Sequence, residues 1–208
     1  MPSVFKYNGN EIIDSSGKVT AAAFPTGSIV QVQSTQYGAG NESCLMESMS
    51  TDTNYVLQDA STSVSGGGVS GILDVNITPK ITGSKMWLQT HVFGEASSDS
   101  LWNLVFFFWR SVGSTHTKLA SGVTSSSNAG AIGIGAATRT QHLKEAGSSP
   151  DILNMQYFDT HGINAGTQIT YKVGITTGSG VTKWATNRCI STANEVGVSS
   201  ICAIELAP

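Results

Sequence analysis

LWNLVFFFWR, residues 101–110, puts eight apolar side chains into its first nine positions and then stops at Arg110. A membrane-crossing helix needs roughly 20 apolar residues, and this run is about half that length with polar neighbours on both sides. In an extended strand successive side chains point to opposite faces. Leu101, Val105 and Phe107 then share one face with Asn103, and Trp102, Leu104, Phe106 and Phe108 share the other. Neither face is polar enough for water. The stretch predicts a strand covered on both sides. The opposite sheet of a sandwich covers one face, and a neighbouring subunit meets the other, at least in part, through Trp102, Leu104, Phe106 and Phe108.

Strand signals recur on either side of this run from Gly27 to the C-terminus, separated by Gly, Ser, Asn and Pro clusters. GSIVQVQSTQ alternates Ile29, Gln31 and Gln33 with Val30 and Val32, and ILDVNITP sets Leu73, Val75 and Ile77 against Ile72, Asp74 and Asn76. YVLQ, KMWLQTHVF, HTKLASG, AIGIGAATR, ILNMQYFD, TQITYKVGIT, TKWATNR and ICAIELAP continue the series, with a further strand expected around Leu45. SVSGGGVSG, after the YVLQ strand, is Ser- and Gly-rich. GSG at 178–180 has the composition of a hairpin turn. TQHLKEAG at 140–147 carries helix formers and predicts a single helical turn. About ten strands at these spacings, with no fixed repeat, predict one antiparallel β-sandwich over residues 27–208. Residues 1–26 contain an Asn8-Gly9 turn but little apolar material, and read as an N-terminal arm.

Composition agrees with this class. Only 12% of the 208 residues are charged and 23 are glycine, which suits short strands and many turns. Net charge is -3 and the eleven Lys and Arg are scattered, so no basic track for nucleic acid is expected. MPSVFKYNGNEIID lacks the basic-then-apolar pattern of a signal peptide, and synthesis in the cytoplasm without membrane insertion is expected.

Residues capable of chemistry are dispersed. His91, His116, His142 and His161 show no metal-ligand spacing, and no cofactor is expected. Asp159 and His161 form the best acid-base pair, in YFDTHG, but no GxSxG elbow accompanies them and a solvated turn is the expected setting. The glycines of GAIGIGAATR, at 130, 133 and 135, do not follow the phosphate-binding order and do not open a helix. Cys44, Cys189 and Cys202 have no CxxC spacing and are expected to be buried thiols. Of the four tryptophans, Trp87, Trp102 and Trp109 lie in strongly apolar strands where burial is expected. Trp184, between Lys183 and Thr186 in a polar strand, is the candidate for surface contact with a glycan.

The order of short motifs resembles a β-domain found in virion proteins of tailed phages, especially those of marine and freshwater bacteria. ITPK at 77–80 with Ser84 and Lys85, the apolar strand ending at Arg110, YFDT at 157–160, YKVGI at 171–175 and the closing IELA at 204–207 carry the resemblance, which spans about residues 27–207. The chain departs from that pattern in DTHGINAG, where a proline is usual, and in a longer insertion around 138–150. The resemblance implies a non-enzymatic, jelly-roll, homotrimeric domain of the kind used in capsid decoration and tail fibres, located in the virion and assembled in the host cytoplasm.

A capsid decoration (cement) protein is therefore the first expectation, with the major capsid protein as partner. Val4, Phe5, Tyr7, Ile12, Ile13 and Phe24 of the arm would meet the shell. The alternative is a short tail fibre or fibre tip, joined to a tail protein and binding a host surface glycan. A glycan hydrolase would need two carboxylates at a defined separation, and none of the fourteen acidic residues is singled out as a pair.

Overall fold

The computed structural model describes residues 4–15, 20, 23–38, 44–97, 104–119, 135–136, 150–177, 181–191 and 195–208. These residues contain fourteen strands and no α-helix. In chain order they are β1 (Phe5–Tyr7), β2 (Asn10–Ile13), β3 (Ile29–Tyr37), β4 (Leu45–Met46), β5 (Asn54–Val56), β6 (Asp74–Ile77) and β7 (Lys85–Ala96). There follow β8 (Leu104–Val112), β9 (Thr115–Leu119), β10 (Gly135–Ala136), β11 (Asp151–Asp159), β12 (Ile169–Thr177), β13 (Trp184–Thr186) and β14 (Ser199–Leu206). The helical turn expected at 140–147 and the hairpin turn expected at 178–180 lie outside the described residues.

Two six-stranded antiparallel sheets form a sandwich. In one, β7 is central: it pairs with β14 over Lys85 to His91, with β11 over Met86 to Gly94, and with β13 over Gly94 to Ala96. β3 completes that sheet as an edge strand on β14, and β4 adds to β13. In the other, β8 and β12 are central; β9 and β10 flank β8, while β5 and β6 flank β12. The core between the sheets takes Met86, Leu88 and Val92 from β7, Ile201 and Ala203 from β14, and Val173 and Ile175 from β12. Leu73, Val75 and Ile77 are buried as the alternation around β6 predicts, with Asn76 exposed on the other face.

Strand β8 resolves the question posed by its sequence. Leu104, Phe106 and Phe108 point into the core between the sheets and are fully buried within the chain itself. They leave no surface for another subunit, which corrects the expected subunit interface. Trp102, expected with them, lies outside the described residues. Phe107 and Trp109 point outward, where they cluster with Val56 and with Val69 of the 57–73 segment, and Lys118 Nζ lies 4.3 Å from the Phe107 ring centroid. Trp109 donates its indole N–H to the Tyr55 carbonyl at 3.2 Å, and Lys172 donates to the carbonyls of Gly67 and Val69 at 3.1 and 2.5 Å. Gly67 lies flat on the indole: a Cβ there would come within 2.7 Å of the Trp109 ring and 2.8 Å of His116 Cβ. The SVSGGGVSG stretch is thus a lid of small residues fitted to aromatic faces.

The arm contains a hairpin. Asn8 and Gly9, at φ 49° and 80°, form the two-residue turn between β1 and β2, as Asn-Gly favours. Val4 is 41% exposed, and Ile12, Ile13 and Phe24 are half-buried. The side chains of Phe5 and Tyr7 lie outside what the structure describes. The sandwich begins where Gly27 donates its N–H to the Ala207 carbonyl and Ala207 donates to Ser28.

Candidate functional site

Register across the β7 sheet defines a face that the described residues cover only at its Phe93 end, where Gly197 lies against the ring. Because Met86, Leu88 and Val92 point inward, Trp87, Gln89, His91 and Phe93 point outward. Following the pairing sideways, Val32, Ile204, Trp87 and Phe158 form one row across β3, β14, β7 and β11. Ser34, Cys202, Gln89 and Gln156 form the next, then Gln36, Ser200, His91 and Asn154. None of these residues is Asp, Glu, Lys or Arg.

A cleft of about 480 Å³ opens over the two polar rows on the β7, β11 and β14 side. It is lined by Gln89, His91, Asn154, Gln156, Ser200 and Cys202, with Thr90 and Met155 completing its wall. His91 donates its Nδ1–H to Asn154 Oδ1 at 2.9 Å, since an amide oxygen only accepts. That bond leaves Nε2 and the Asn154 amide nitrogen outside it, the amide nitrogen as a donor. Beside the cleft, Trp87 and Phe158 stack with centroids 5.5 Å apart and planes 10° from parallel. Phe158 is 56% exposed.

Trp184 does not belong to this surface. It is 1% exposed, packs edge-on against Phe106 at 5.1 Å, and donates its indole N–H to Thr186 Oγ1 at 2.9 Å. The polar residues around it had suggested exposure, but Trp184 itself points into the sandwich, where Gly94 makes room for its ring. Trp87, expected to be buried, is half-buried on the outward face and is the tryptophan adjoining the cleft.

The Asp159 and His161 side chains are buried at one end of the sandwich rather than solvated in a turn. Asp159 accepts from Arg110 Nη1 at 2.8 and 3.0 Å and from the Tyr171 hydroxyl at 2.8 Å, bridging the two sheets. Burial and the adjacent carboxylate push the Tyr171 phenol well above its usual range. His161 Nδ1 accepts from the Ile163 N–H at 2.9 Å, so its neutral form carries the proton on Nε2, which is buried without a hydrogen-bond partner. Burial holds this imidazole below its ordinary value; Asp159 and Glu205 oppose the shift and Arg110 reinforces it. Nearby, the fully buried Glu205 accepts the backbone N–H groups of Lys80 and Ile81 and the Gln31 amide. Both carboxylates are therefore engaged in joining segments of the sandwich.

Cys44 and Cys189 are fully buried, and burial is the main cause of thiols pushed up to about 11 and about 12. Cys202 differs, being half-buried at the cleft. Among the described residues no three His, Cys, Asp or Glu side chains gather as a metal site, and no helix is long and apolar enough to cross a membrane. No known protein family and no curated protein matches this chain.

Proposed function

We propose that the chain is a structural protein of a phage virion, a homotrimeric capsid decoration protein of jelly-roll type. The observation that carries the assembly reading is β3. This edge strand runs nine residues, IVQVQSTQY, without a charge or a proline, and leaves Ile29 57% and Val32 51% exposed. Unprotected edges of this kind are unusual in proteins that stay alone. Self-association along the β3 side of the open sheet covers these side chains. The eight longest strands of the sandwich support the jelly-roll reading: their pairing orders, β3-β14-β7-β11 and β6-β12-β8-β9, interleave early and late strands as two Greek keys do. The arm, with its own hairpin and an exposed Val4, is the element proposed to reach the major capsid protein.

Light scattering on the purified full chain tests the assembly. A trimer is expected at micromolar concentration, and the double substitution Ile29→Lys with Val32→Lys is expected to give a folded monomer. A wild-type monomer that is absent from virions would sink the proposal. Copy number per virion distinguishes a decoration protein, which covers the head, from a fibre present as a few trimers.

The cleft favours a second reading, a short tail fibre or fibre tip that touches a host surface glycan. Its lining of neutral hydrogen-bonding side chains beside an exposed ring suits a sugar, with Trp87 and Phe158 in the role first expected of Trp184.

A further inference from the structure

We infer that the cleft between β7, β11 and β14 is a binding site for an uncharged oligosaccharide, held by Gln89, His91, Asn154 and Gln156 with Phe158 as the stacking surface. The inference deepens the fibre-tip reading and rests on it for its biological setting. Its physical basis is the match between the lining and the ligand.

Sugar hydroxyls donate and accept at once, so they need partners of both kinds side by side. Planar amides offer an oxygen and an N–H₂ a short distance apart, and the cleft presents three of them, on Gln89, Asn154 and Gln156. The His91–Asn154 hydrogen bond at 2.9 Å orients two of the partners before any ligand arrives, with the Asn154 amide nitrogen set as a donor. Preorganised groups lose less freedom on binding. The C–H face of a pyranose packs against an aromatic ring, and Phe158 lies two residues from Gln156 on the same face of β11, about 7 Å along the strand. Phe158 keeps 56% of its surface exposed, while its contact with Trp87 fixes its plane.

Charge selects the ligand class. Among the described residues that line the cleft there is no Lys or Arg to neutralise a phosphate, sulfate or uronate, and no Asp or Glu to hold an amine or a metal-bridged sugar. A carboxylated or phosphorylated glycan would lose hydration there without an opposite charge to replace it. At about 480 Å³ the cleft is in the size range of small-ligand sites.

The test uses the full chain labelled with nitrogen-15, observing the side-chain amide signals of Gln89, Asn154 and Gln156. The probes are neutral trisaccharides of glucose, galactose, mannose and N-acetylglucosamine, raised to about 10 mM because lone sugar sites are weak. At least one is expected to shift these signals saturably. Gln156→Ala and Asn154→Ala should each weaken it about tenfold, the effect of losing one well-placed hydrogen bond. Phe158→Ala should weaken it and Phe158→Tyr restore it, while Val64→Ala, on an exposed loop residue elsewhere, should leave it unchanged.

No shift with any of the four sugars would overturn the site. So would a shift that survives both amide substitutions, or tenfold tighter binding of a sialylated or uronate-containing trisaccharide. Immunogold labelling of virions separates the site from the fibre reading. Sugar binding by a protein found over the head removes the fibre reading and keeps the site; a tail location without sugar binding does the reverse.

Discussion

The two sheets differ in what lies against their outward faces, and one phenylalanine on each shows the contrast. Phe107, outward on β8, is fully buried in a cluster with Val56 and Trp109, with Lys118 Nζ 4.3 Å from its ring centroid; Phe158, outward on β11, is 56% exposed beside a cleft. Both sit in apolar surroundings on a strand of the same length. The covered face is closed within the chain by backbone carbonyls bonded to Lys172 and by glycines flat on aromatic rings. On the open face the described residues cover only the Phe93 end, where Gly197 lies against that ring. The apolar row of this face leaves Val32 51% and Phe158 56% exposed while Ile204 is buried, and its polar rows carry no charge.

The largest effect is expected at Phe106, behind both faces. Phe106→Asp buries a carboxylate without a partner and should cost more than about 5 kcal/mol, leaving no folded protein by circular dichroism. A folded monomer from this variant would return Phe106 to a subunit interface. Next, Phe107→Ala should cost about 3–5 kcal/mol in chemical denaturation, as a fully buried ring does. Phe158→Ala should cost under about 1 kcal/mol. Equal losses at the two positions would break the contrast between the faces.

A smaller effect is expected at Gly67, where Gly67→Val should cost about 1–3 kcal/mol by lifting the lid from Trp109. Tryptophan fluorescence should shift to the red as that indole meets water. Unchanged fluorescence would mean that the lid is not held by this close approach.

The smallest effect concerns pH. Burial lowers the His161 imidazole below its ordinary 6.5, so the unfolded chain takes up the proton first as pH falls. The stability contributed by the neutral ring is full above about pH 6.5 and declines as pH drops toward the lowered folded value. His161→Gln should therefore flatten the denaturation midpoint against pH between about 7 and 5. Parallel curves for wild type and variant would remove His161 from the acid response.

Much of the fold was legible in the residues. Alternation located β6 and its buried face, the apolar run located β8, and Asn8-Gly9 gave the hairpin turn. The short motifs at 77–80, 157–160 and 204–207 were legible as a pattern but not as chemistry. In the fold they meet as two carboxylate clusters, Asp159 with Arg110 and Tyr171, and Glu205 with the N–H groups of Lys80 and Ile81. The bonds joining Asp159 to Arg110 and Glu205 to Lys80 span 49 and 125 residues, respectively, beyond the reach of any local rule. The cleft was less legible still, because its lining comes from three strands brought together only by register. Alternation in β7 and β11 marked which of their side chains share a face, but not whether water or protein lies on it.

By itself, the sequence determined the all-β class, the approximate strands and the requirement that both faces of β8 be covered. Those conclusions depend on period and side-chain type along a single segment. Tertiary structure decided what does the covering and which sheet stays open. A continuous apolar strand records only that water is absent. Here the lid is a stretch of glycine and serine with little hydrophobicity of its own, held by its fit to Trp109 and its carbonyl bonds to Lys172.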